Sequence, residues 1–162
     1  MRHSMRPPVL ALLALAAIGL SACAGSAAAG LEPGERTIYM AAIEPKGGTT
    51  ADSEPFPAAI LPGGGGYLLK EPDETGRWEV STYRWSQNEI VAVEGDTLTL
   101  EILGVNGASH PSRIEGYDIS FEVKRGELTK VTFTADKPGI YRFICDAHLP
   151  SMTGQLVVLP KG

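Results

Sequence analysis

From Trp78 to Pro160 apolar and polar residues alternate in short bursts with a period of two. KVTFTA sets Val131 and Phe133 against Lys130, Thr132 and Thr134, and GIYRFIC puts Tyr141, Phe143 and Cys145 on one face. WEVSTYRW, IVAV, TLTLEIL, DISFEV and GQLVVLP are rich in β-branched and aromatic residues. Turn residues separate them: EGD at 94–96, NG at 106–107, RGE at 125–127 and DKPG at 136–139. Beyond the first 22 residues no helical period is sustained and no repeat is visible. Seven or eight short strands at this spacing predict an all-β protein, a Greek-key β-sandwich around one hydrophobic core.

Upstream the pattern is weaker. RTIYMAAIE (36–44) has the composition of a strand, but KGGTTADSEPFP and LPGGGG are turn and loop material. Residues 36–76 are therefore set apart as an N-terminal extension of uncertain structure, with one possible extra strand on the domain edge. The domain proper is expected over 77–162. Residues 23–35, small and rich in Gly and Ala, read as a flexible tether.

The first 22 residues have another logic. Arg2 and Arg6 precede a short apolar run, VLALLALAAIGL, too short to span a bilayer, and small residues follow. This is an export signal. Its end, Leu20-Ser21-Ala22-Cys23, resembles the bacterial lipoprotein signal, and that resemblance implies cleavage before Cys23 and lipidation of it. An ordinary secretory signal with a chance cysteine is the alternative. The expected location is a membrane surface facing the periplasm or the cell exterior, held through the N-terminal lipid; the neutral Ala24 leans towards an outer membrane.

Cleavage simplifies the inventory. Loss of Arg2 and Arg6 takes the net charge from −5 to −7, which argues against nucleic acid as a partner. The remaining chain keeps two histidines, His110 and His148, two methionines, Met40 and Met152, and one unlipidated cysteine, Cys145. A thiol with no intramolecular partner in an oxidising compartment needs another explanation, and metal ligation is one.

Cys145, His148 and Met152 stand within eight positions, where one strand ends and the next begins. A tight connection between neighbouring strands can bring three such side chains to one point. A further nitrogen must come from His110, expected on the loop after TLTLEIL. Two imidazoles, a thiolate and a weak axial thioether are the donor set of a mononuclear copper electron-transfer site. Zinc accepts His, His and Cys as well, but structural zinc takes four strong ligands and a thioether is a poor one.

The segment from about Trp85 to Pro160 resembles a cupredoxin. SQNEIVAVEGDTLTLEILGVNG is similar to the opening strands of that family, and DKPGIYRFIC followed by His148, Met152 and GQLVV is similar to its ligand loop. The chassis resembles the electron-entry domain of cytochrome oxidase subunit II and nitrous-oxide reductase. It departs from those domains in one respect: they hold two copper ions between two cysteines, and this loop, C-x2-H-x3-M, has one cysteine. A bridged binuclear centre therefore cannot form. The resemblance implies a single copper ion held by His110, Cys145, His148 and Met152. Met152 as core filler beneath the loop, with a three-coordinate or water-ligated copper, stays open.

This reading makes the chain a carrier of single electrons rather than an enzyme, with a redox protein such as a cytochrome or a terminal reductase as partner, and a monomer is expected. The alternative is copper delivery or storage, which an exposed, exchangeable site would favour. Many cupredoxins use the N–H of the residue after the first histidine to bond the thiolate sulfur. Pro111 has none, so a lower potential is expected. Leu149 and Pro150 are expected to form an apolar rim over His148, with Asp146, Glu115 and Asp118 nearby.

Overall fold

A computed structural model describes residues 30–162. The expected export signal, Cys23 and the tether as far as residue 29 lie outside the described residues.

Twelve strands follow in order: β1 (Glu35–Ile43), β2 (Lys46–Thr50), β3 (Tyr67–Lys70), β4 (Arg77–Thr82), β5 (Arg84–Trp85), β6 (Glu89–Val93), β7 (Asp96–Gly104), β8 (Ser109–Ile114), β9 (Ile119–Lys124), β10 (Leu128–Ala135), β11 (Gly139–Cys145) and β12 (Thr153–Leu159). One 3-10 turn, Asp146–His148, joins β11 towards β12. The alternation that predicts strands also sets their facing. In β7, Leu98, Leu100 and Ile102 are buried while Thr97, Thr99 and Glu101 between them are half-exposed.

Two sheets form the sandwich, in the orders β10-β7-β1-β5 and β6-β12-β11-β8-β9. Residues from both enclose one core that includes Trp85, Leu98, Leu100, Ile102, Phe143, Leu156 and Val158. The neighbours β1/β7 and β12/β6 run parallel and the others antiparallel, so the chain crosses between the layers rather than meandering in one. The sandwich is the expected one, but with nine strands rather than seven or eight.

The extension differs from expectation at both its ends. β1 is not an edge addition: it pairs with β7 over eight residues and with β5 on its other side. Its start is pinned by Asp96, whose buried carboxylate accepts hydrogen bonds from Val93 N–H and Gly34 N–H, both at 2.7 Å, and from Arg36 Nε at 2.6 Å. The composition of β1 marks it as a strand, but parallel pairing with residues 62 positions further on leaves no local signal of the sheet it joins. The run WEVSTYRW, which reads as one strand, is two. β4 belongs to a third sheet, β2-β4-β3, and β5 to the sandwich, with Tyr83 as the hinge residue between them.

Candidate metal centre

β11 ends at Cys145, and the 3-10 turn that follows carries His148 back beside it. The turn is closed by main-chain bonds: Met152 N–H donates to His148 O at 3.0 Å, and Cys145 N–H donates to Met152 O at 3.0 Å. Cys145 and Met152 are fully buried and His148 is half-buried. Met152 is therefore beneath the loop and packed in the core, as both readings of it require.

His110 lies in β8, not on a loop. β8 is sandwiched between β11 and β9, and the two-residue period points His110 and Ser112 to the same, inner side. His110 is completely buried. The extended run SHPSRI contains a proline, which disguises it as a loop; Pro111 stands just before the β11 ladder begins at Ser112, so only β9 pairs there and the strand tolerates a residue without an N–H.

The three side chains converge through the same kind of atom. His110 Nδ1 and His148 Nδ1 are 3.2 Å apart, and the Cys145 sulfur is 3.3 Å from the second and 4.0 Å from the first. A point inside this triangle lies about 2.1 Å from all three atoms, close to the ~2.0–2.3 Å of metal–nitrogen and metal–sulfur bonds. Strand and loop thus set three donors at a spacing a single ion can bridge.

Protonation is arranged to suit. His110 Nε2 is 2.9 Å from the carbonyl oxygen of Asn106, an acceptor, so Nε2 carries the hydrogen and Nδ1 presents its lone pair to the triangle. Burial lowers the pKa of His110, partly countered by the Asn106 bond, and keeps the imidazole neutral. Burial lowers that of His148 too, reinforced by the nearby His110. Burial pushes the Cys145 thiol up, against the amides of Ala147 and His148 and the Ser112 hydroxyl, which lie against the sulfur and favour its ionised form. Without a metal, a proton on His148 Nδ1 can bridge to His110 Nδ1 at 3.2 Å or to the sulfur at 3.3 Å; a cation that the sulfur meets as a thiolate would take that proton's place. This donor set, with the Met152 thioether buried below the loop, fits a single type 1 copper.

A family model described as a cupredoxin-like domain matches residues 69–158. The chain belongs to the cupredoxin-like domain family. Among solved structures this cupredoxin is similar to a copper nitrite reductase from Nitrosomonas europaea (18% identity, TM-score 0.50, covering 78% of this chain and 42% of the other). It is similar to a multicopper oxidase, mgLAC (16%, 0.51, 79% and 40%). It is also similar to auracyanin A, a blue copper protein of Chloroflexus aurantiacus (16%, 0.44, 76% and 98%). The chain thus spans about two fifths of the length of the two enzymes, and at these identities the likeness speaks for the fold alone. No curated protein sequence matches the chain.

Around the triangle lie residues that the sequence reading did not single out. Asn106 holds His110 through its carbonyl, and its side chain is tied to the Glu44 main chain, accepting from Glu44 N–H at 2.7 Å and donating to Glu44 O at 3.0 Å. Tyr83 stacks on the His148 ring. Ser112 lies opposite Cys145 in the β8/β11 ladder. None of the three had a sequence signal as a site residue: with His110 expected on a loop, the two-residue spacing that sets Ser112 on its face was hidden. Of the expected rim, Pro150 is exposed, while Leu149 is half-buried and its carbonyl accepts from Gly66 N–H at 3.0 Å. Two of the expected acidic neighbours are occupied by arginines: Asp146 bonds Arg113, and Glu115 bonds Arg142.

Proposed function

We propose that this chain carries single electrons through one copper ion held by His110, Cys145 and His148 with Met152 as the weak fourth donor. The observation behind it is the triangle of Nδ1, Nδ1 and Sγ atoms spaced for one ion. Copper bound there supplies a one-electron couple. The protein's part is to keep the donors in place: His110 on a strand paired with β9, Cys145 at a strand end, His148 on a turn closed by main-chain bonds. A set that cannot relax suits both oxidation states, so little moves when an electron is exchanged. Complete burial of His110 and Cys145 favours a carrier over a protein that hands its ion on, since delivery calls for exposed, exchangeable ligands. In the full reading the carrier is exported and tethered through lipid on Cys23, and meets a redox protein by the edge of His148.

The deciding experiment is the visible and electron-paramagnetic-resonance spectrum of the domain with Cu(II). An intense thiolate-to-copper band is expected, and it is lost in Cys145→Ser. A pale spectrum in the unaltered protein, like that of copper on imidazole alone, contradicts the reading. Labelling with radioactive fatty acid in a Gram-negative host, lost in Cys23→Ala, tests the anchor separately.

A further inference from the structure

The two histidines are held in different ways. His110 is fixed through its ring and its strand: Nε2 donates to Asn106 O, and the main chain pairs with Val123 of β9. For His148, Nε2 has no protein partner among the described residues, and it is not among the fully buried unpartnered atoms. Its outer edge therefore meets solvent. The second torsion of histidine is broad, so neither the 3-10 turn nor a hydrogen bond on the far nitrogen sets its plane.

What lies on that plane is Tyr83. The ring centroids are 3.7 Å apart and the planes 21° from parallel, a face-to-face contact tighter than the ~4.5–7 Å of ordinary aromatic pairs. The same phenol ring meets His110 edge-on at 5.7 Å. Tyr83 is anchored through its main chain. Its N–H donates to Gly66 O at 2.9 Å, Ser151 Oγ donates to that same oxygen at 2.7 Å, and Gly66 N–H reaches back to Leu149 O. Its hydroxyl end lies near the carboxylate of Glu44, which is buried and takes Ser81 Oγ at 2.7 Å and Lys46 Nζ at 3.0 Å; burial, reinforced by that carboxylate, raises the phenol's pKa. Gly107 makes room for the arrangement, since a Cβ there would stand 2.8 Å from both the His110 ring and the Tyr83 ring.

We propose that Tyr83 is the positioning residue for His148: its ring, held through the main-chain bond to Gly66 and packed edge-on against His110, sets the imidazole plane so that Nδ1 faces Cys145 and His110, and it seals that face of the imidazole against small ligands while leaving the outer edge open. The ligand role of His148 rests on the copper reading above, but the stack itself is testable without metal.

In the metal-free protein the ring C–H protons of His148 are expected far upfield, shifted by the Tyr83 ring current. The shift persists in Tyr83→Phe, which keeps the ring, and disappears in Tyr83→Leu. With Cu(II) bound, azide is expected to bind Tyr83→Leu about tenfold more tightly than the unaltered protein or Tyr83→Phe, with a changed thiolate band. Unshifted His148 protons in the unaltered protein overturn the proposal with no variant needed, which guards against a Tyr83→Leu chain that does not fold. Loss of the upfield shift in Tyr83→Leu with azide affinity and spectrum unchanged overturns it too. A chain that shows the upfield shift but never the thiolate band would sink the copper reading and leave the stack standing, so the two failures are separable.

Discussion

The ligand loop and the cover over it are assembled by opposite routes. Cys145, His148 and Met152 are neighbours in sequence, and they meet because the connection from β11 to β12 closes on itself through two main-chain hydrogen bonds. The cover is gathered from Glu44, Gly66, Tyr83 and Asn106, whose outermost members are 62 positions apart and yet joined by paired hydrogen bonds. Two of the four, Glu44 and Gly66, lie outside the matched family segment. The donors thus belong to the family's part of the chain, while their orientation depends on segments added before it. A ligand set can be copied as a short string; the means of holding it are distributed.

That dependence is broken most severely at Asp96, far from the metal, where β1 is fastened. Asp96→Ala leaves the buried Val93 amide without its acceptor and turns the Gly34 amide and the exposed Arg36 guanidinium over to water, and about 2–3 kcal/mol of stability is expected to go in urea melts. Because β1 leads into Glu44, the His148 ring protons should report the damage as well. The acid limb carries the same information. Burial works to raise the Asp96 pKa, but the bonds from Val93, Gly34 and Arg36 outweigh it and hold the carboxyl below its usual range. The folded value then lies under the unfolded ~3.9, so the stabilisation is complete above about pH 4 and is lost as pH falls through the folded value. A loss under about 1 kcal/mol in the variant, or an unchanged acid limb, would show that β1 is not held this way.

A smaller effect separates backbone strain from crowding at the site. Gly107 and Gly126 have almost the same positive φ, 83° and 81°. A Cβ at Gly126 meets nothing within 4 Å, whereas at Gly107 it meets His110 and Tyr83 at 2.8 Å. Gly126→Ala should cost about 1 kcal/mol and leave copper binding alone. Gly107→Ala should cost roughly 2–3 kcal/mol and weaken copper binding, since the ring of a ligand must shift. Equal melting temperatures and equal copper titrations for the two would mean that the close approach of Gly107 to the rings does no positioning.

How much of this could be read from the sequence follows from the range of each interaction. Period-two alternation from β6 to β12 and the spacing of Cys145, His148 and Met152 are local, and they were legible. The buried state of His110 was not, because Pro111 interrupts the strand composition and only pairing with β9 and β11 on either side makes SHPSRI extended. β1 was legible as a strand but not as a member of the sandwich, because its parallel pairing with β7 is decided across the whole intervening chain. Tyr83 looked like one aromatic among several in WEVSTYRW. Its role comes from being the hinge between two sheets, which no alternation of side chains reveals.

The mildest test bears on the tie between loop and cover. Ser151 Oγ donates to Gly66 O, but that oxygen also accepts from Tyr83 N–H, so Ser151→Ala removes a bond without orphaning the acceptor. About 0.5–1 kcal/mol is expected, at the low end for a hydrogen bond. The loss should be local rather than global. Amide exchange at Gly66, whose N–H is donated to Leu149 O, should quicken together with that of Tyr83, while the core strands β7 and β12 keep their protection. Faster exchange spread evenly over the sandwich would mean that the loop and its cover open only when the whole protein does. The accessory sheet would then be an integral part of the cooperative unit, and not a separate clamp laid over a site that the sandwich already holds.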